Sequence, residues 1–237
     1  MEIWKLILLF LSCFLGGMAI FLLKKDNSQR LKLILSFSGA YLFAITILHL
    51  IPEVYHDGDH SIGLFVLGGF LFQILLEQFS EGIEHGHIHK HHHEHYVFPY
   101  GIMISLCLHA FLEGMPLAQG HHNQLLFGIG LHHIPASFAL ASVLTQNKIP
   151  KRPIILLLIL FSVMSPLGYI FSEGLSNGSI GDLTNYFDRI MAIVIGIFLH
   201  ISTTILFESS VDHHFNIRKL TAVLAGIGIA LLNFLIE

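Results

Sequence analysis

Residues 6–23 read LILLFLSCFLGGMAIFLL, a run without a charge, bounded by Lys5 on one side and by Lys24 and Lys25 on the other. An α-helix rises about 1.5 Å per residue, so such a run nearly crosses a ~30 Å hydrocarbon core. It is too long for the apolar region of a signal peptide and lacks a small-residue cleavage site, so it reads as a membrane helix. Working outward, the first span covers 3–23, and seven more stretches pass the same test: 31–54, 62–81, 97–119, 123–145, 153–174, 188–208 and 218–236. They fill most of the 237 residues and leave only short loops. The sequence therefore predicts an all-α integral membrane protein with eight transmembrane helices, one transmembrane domain over 1–237.

Composition agrees. The mean hydropathy is +0.71, and 12% of residues are charged where a soluble domain has about 25%. This excludes a disordered chain and a typical soluble enzyme. A net charge of −4 supplies no basic field for nucleic acid. Cys13 and Cys107 both lie in apolar runs, so they form neither a disulfide framework nor a CxxC site. The 18 histidines outnumber the 12 lysines and arginines together, and histidine is where the chemistry lies.

The loops set the orientation. Lys24, Lys25, Arg30, Lys32, Lys90, Lys148, Lys151, Arg152, Arg218 and Lys219 all fall between odd and even spans. The opposite side has only Lys5 and Arg189 and carries Asp57, Asp59, Asp182 and Asp188 instead. The positive-inside rule then predicts both termini outside. The lack of long loops suits a plasma membrane, with the bacterial inner membrane as the expected location.

Ionisable residues at membrane depth are costly and usually face a pathway or a partner. Span four contains SLCLHAFLEGMPLA, which puts His109 and Glu113 four apart on one face. Span five contains GLHHIPASFALAS, with His132 and His133 side by side. From the ends of their helices His109 lies at ~18 Å and His132 at ~14 Å, so the two meet near the midplane. A short loop joins the helices, which predicts antiparallel neighbours. Imidazole and carboxylate at one depth make a zinc-like ligand set: His109, Glu113, His132 and His133. Pro116 and Pro135 are expected to free the carbonyls of Leu112 and Leu131 and to break both helices beside the site.

Flanking groups suggest a route. Span two ends LHLIPEVYHDGDH, placing His49, Glu53, His56 and Asp57 at an acidic outer mouth. Gln73, Glu77, Glu81 and His85 recur every four residues along span three, and His200, Thr204, Glu208 and Asp212 repeat the pattern on span seven. Both stripes read as an inner vestibule. Between spans three and four, residues 85–95 read HGHIHKHHHEH, including His85, His87 and His89. By composition this cytoplasmic loop is a metal-binding segment that need not fold. No HExxH, GxSxG, P-loop or dinucleotide fingerprint is present, so no organic cofactor is expected and ATP-driven pumping by this chain alone is excluded.

HAFLEG in span four and HHIPAS in span five together resemble the paired signature of the ZIP (Zrt/Irt-like) metal transporters. LHLIPE, SPLG in span six and the histidine-rich loop are similar to that family too, over essentially the whole chain. The resemblance implies a 3+2+3 arrangement in which spans one to three and six to eight are inverted repeats. It also implies a permease that moves Zn2+, or a related ion such as Fe2+ or Cd2+, into the cytoplasm. His109, Glu113 and His132 match family ligands. Ala110, His133, Ala136 and Ser165 depart from the pattern at positions used by members with two metals, which points to a one-metal variant richer in imidazole. The expected partners are the divalent ion and the lipid bilayer, with a homodimer also allowed. The competing reading is a zinc-dependent intramembrane hydrolase with Glu113 as general base, but a hydrolase needs neither the stripes nor the histidine tract.

Overall fold

A computed structural model describes residues 2–22, 28–55, 59–80, 82, 98–118, 123–176, 186–208 and 217–236. Eight helices in it are long and apolar enough to cross a membrane: α1 Ile3–Phe21, α2 Leu31–Val54, α3 Ile62–Ser80, α4 Tyr100–Ala118, α5 Asn123–Gln146, α6 Lys151–Leu175, α7 Phe187–Phe207 and α8 Ile217–Ile236. All lie within about three residues of the spans predicted from apolar length. The histidine-rich loop 85–95 lies outside the described residues.

Packing divides the helices into two groups. In one, α1 packs on α5 and α6, and α4 packs on α6; in the other, α3 packs on α7, and α2 packs on α7 and α8. Exchanging α1 with α6, α2 with α7, α3 with α8 and α4 with α5 turns the α1–α5 pair into α6–α4 and α3–α7 into α8–α2. That is the pairing inverted repeats require. The exchange is incomplete: α3 packs on α4 and α2 packs on α5, whereas α8 on α5 and α7 on α4 show no comparable packing among the described residues.

Lipid offers no hydrophobic drive between helices, so close approach and van der Waals contact must hold them. Glycine supplies the approach at two crossings. A Cβ on Gly114 of α4 would overlap the Ser165 carbonyl of α6, and one on Gly168 of α6 would overlap the Phe111 carbonyl of α4. Gly69 of α3 and Gly196 of α7 stand in the same reciprocal relation to the carbonyls of Ile193 and Val66. Around the first crossing, Cys13, Leu106, Ala110, Leu140, Leu144, Leu158 and Phe161 form one buried cluster shared by α1, α4, α5 and α6.

The prolines act differently from expectation. The helix of α5 continues through Pro135 without a break. At Pro116 the chain tightens into a 3-10 turn, Met115–Ala118, and the Met115 N–H donates to the Leu112 carbonyl. The bond lost at Pro116 is thereby replaced by a shorter-range one, the usual repair at a helix end. The irregular backbone is instead in α2. There Thr46–Leu50 forms a π turn, with the Ile51 N–H donating to the Thr46 carbonyl. Pro52 follows, and its ring would collide with the carbonyl of residue 48 in a straight α-helix, which the wider turn relieves.

The helices α4 and α5 are not packed backbone to backbone either. The partners of α4 are α3 and α6, and those of α5 are chiefly α1 and α2. Polar side chains span the space between the two.

Candidate metal centre

His109 and Glu113 lie one turn apart on α4, and His109 Nε2 is 3.3 Å from Glu113 Oε1. Across from them, His132 and His133 are consecutive on α5, so their side chains leave the helix about 100° apart. The His132 ring stands edge-on to that of His109, with centroids 6.0 Å apart. His133 turns instead to the other oxygen of Glu113, with Nε2 2.7 Å from Oε2. All four residues are buried, none more than 1% exposed. One ligand atom from each of His109, Glu113 and His132 falls within 4.8 Å of the others. That group brings together three of the four predicted ligands and leaves out His133.

Two imidazoles and a carboxylate converging in a water-poor interior are costly unless something compensates them. A divalent cation does so, and this donor set suits zinc, copper, nickel or iron better than magnesium or calcium. The setting is rigid. The Ser165 hydroxyl donates to the Ala110 carbonyl at 2.6 Å, tying α6 to the turn of α4 that carries His109 and Glu113. Ala110 and Ala136 are both buried and supply no ligand atom.

A second histidine–carboxylate pair joins α3 to α7. His200 Nε2 lies 2.5 Å from Glu77 Oε2, and the His200 ring is edge-on to Phe70 at 5.0 Å. Gln73, one turn before Glu77, is fully buried. The sequence placed Glu77 and His200 on two separate stripes; the structure brings them into contact. Of the other residues assigned to the inner vestibule, Glu81, His85, His87 and His89 lie outside the described residues, as does the side chain of Glu208.

At the far end of α2, His49 sits on the π turn, its ring edge-on to Phe234 of α8 at 5.4 Å. Glu53 is exposed, while His56 and Asp57 lie outside the described residues. Asp59 accepts hydrogen bonds from the Ser61 hydroxyl and amide, both 2.8 Å, which hold its carboxyl below the ordinary value.

Sequence reasoning missed the bond between His133 and Glu113. The available signal was the His132–His133 pair itself, since neighbours on a helix cannot point at one ion from the same side.

Eight membrane-crossing helices around a buried cluster of imidazole and carboxylate define a multi-pass membrane protein with a metal-compatible interior. A family model described as ZIP Zinc transporter matches residues 2–100 and 84–233, and the chain belongs to that family. It is accordingly a transporter of divalent metal. No curated protein matches the chain.

Proposed function

We propose that the chain carries zinc across a plasma membrane into the cytoplasm, with both termini outside, through a site made by His109, Glu113 and His132. The convergence of three buried ligand atoms within 4.8 Å of one another carries this reading. Two neutral imidazoles and one carboxylate favour zinc among the common divalent ions, with Fe2+ and Cd2+ as secondary substrates. The ion enters past His49, Glu53, His56 and Asp57, where negative charge gathers cations, and leaves by Glu77, Glu81, His200 and Glu208 toward the histidine-rich loop. The orientation of the termini rests on the charge asymmetry of the loops, because ten of the twelve basic residues lie on the side assigned to the cytoplasm, and the inward direction rests on the resemblance to the family. Metal drawn down by cytoplasmic chelation suffices to drive uptake.

The test is zinc influx into proteoliposomes loaded with a fluorescent chelator, comparing wild type with His109→Ala and Glu113→Ala. Saturable influx abolished in both variants supports the site. Influx unchanged in either would remove that residue from the path. Slow or absent flux with one tightly retained zinc per chain would favour the hydrolase reading instead.

A further inference from the structure

We propose that His133 is a positioning residue and not a metal ligand: it holds Glu113 so that a single carboxylate oxygen faces the ion. This rests on the reading of His109, Glu113 and His132 as the transport site, and adds how that site selects its substrate.

Donor and acceptor accounting carries the argument. A carboxylate only accepts, so at 2.7 Å the Nε2 of His133 must be the donor to Glu113 Oε2. A nitrogen that bears a proton offers no lone pair to a metal. The ring's one lone pair is then on Nδ1, across the ring from the nitrogen that meets Glu113, and His133 falls outside the group whose ligand atoms converge. Its ring packs beside Phe161 of α6, with centroids 6.1 Å apart.

The effect on Glu113 follows from its two oxygens. Oε2 is engaged by His133, and Oε1 is the oxygen on the His109 side, 3.3 Å from His109 Nε2. An Oε2 held by His133 is turned toward that ring and weakened as a donor, which disfavours closure of the carboxylate on an ion with both oxygens. The protein then offers two imidazole nitrogens and one oxygen, leaving one position of a tetrahedron for water. Zinc accepts that set readily. Manganese, which favours six oxygen-rich ligands, loses the second carboxylate oxygen it would otherwise use. Hydrogen bonds to ligating carboxylates commonly change metal affinity or activity by about 10-fold or more when removed.

The experiment uses the full chain with the seven histidines of 85–95 replaced by glutamine, so that the membrane site dominates the imidazole signal. Zinc X-ray absorption counts imidazole ligands in this background and in His133→Gln, His133→Leu and His132→Gln. The same proteins are assayed for zinc influx against competing manganese. Glutamine can still donate to Glu113 from its amide; leucine cannot. The expected result is two imidazoles in the parent and in both His133 variants, and one in His132→Gln. Preference for zinc over manganese should fall about 10-fold in His133→Leu and recover in His133→Gln. Three imidazoles in the parent, or the loss of one in His133→Gln, would overturn the proposal. Should the leucine variant not fold, the ligand count in His133→Gln decides the matter alone. Failure of the site itself looks different: the imidazole count would then stay unchanged in His132→Gln.

Discussion

Glu77 and His200 meet at 2.5 Å between α3 and α7, which makes them one unit across the crossing set by Gly69 and Gly196. Their side chains are 19% and 10% exposed, so water screens the pair only weakly. Removing one member takes from the other its short hydrogen-bond partner in a largely buried setting, and a coupling of about 1–3 kcal/mol is expected. Thermal unfolding in detergent of Glu77→Gln, His200→Ala and the double variant measures it. Strict additivity would mean that the contact contributes nothing.

The crossing of α4 and α6 predicts a contrast between glycines. Gly114→Ala forces a methyl into the Ser165 carbonyl, and overpacking of this kind costs about 1–3 kcal/mol. Because the backbone must move, Glu113 moves with it, so zinc influx should fall along with the melting temperature. Gly228→Ala meets open space and should change neither. Equal behaviour of the two variants would contradict the crossing.

Ser165 offers a subtler probe of the same junction. Its hydroxyl donates to the Ala110 carbonyl at 2.6 Å, a bond worth about 1 kcal/mol to stability. Ser165→Ala should therefore lower the melting temperature slightly while leaving the imidazole count of bound zinc at its parent value. Loss of one oxygen ligand from the zinc shell, with the imidazole count unchanged, would show that Ser165 contributes a ligand rather than a brace.

Acid should weaken zinc binding. Protons and zinc compete for the imidazole nitrogens of His109 and His132 and for the Glu113 carboxylate, and ligands bind metal only when deprotonated. The sign is fixed: affinity falls as pH falls, and protons are released on binding at any pH where the ligands are partly protonated. Calorimetry in two buffers of different ionisation enthalpy measures that release. Zinc affinity independent of pH through the imidazole range would exclude histidine ligation.

Much of this was readable in the chain because the bilayer imposes its thickness on every crossing segment. Apolar length alone located all eight helices, and the i, i+4 spacing of His109 and Glu113 put them on one face before any coordinates. What the sequence concealed were relations between helices. A short loop suggested that α4 and α5 pack together, yet among the described residues each packs chiefly on other helices, and the side chains of Glu113 and His133 meet across the space between. Four polar residues at one depth suggested four ligands; depth is insensitive to azimuth, and it is azimuth that turns His133 toward Glu113 Oε2 while His132 faces the His109 ring. Proline was a poor guide for a related reason. Its missing N–H is certain, but whether a helix continues, tightens or widens depends on the neighbours that absorb the defect. Pro135, Pro116 and Pro52 show one of each outcome.

The π turn at Thr46–Leu50 gives α2 a property that its uninterrupted stretches lack. It holds one residue more than the α turn it replaces. Deleting a single codon elsewhere in α2 would rotate everything beyond by about 100° and carry one end to the wrong face. A deletion within these five positions can be absorbed by closing the wide turn into an ordinary one, with both ends keeping their facing, at the cost of the Pro52 ring contact that the wide turn relieves. The helix therefore carries one place where its length can change while the direction of Glu53 is preserved, and a scan of single-residue deletions along α2 should find its tolerated positions gathered there.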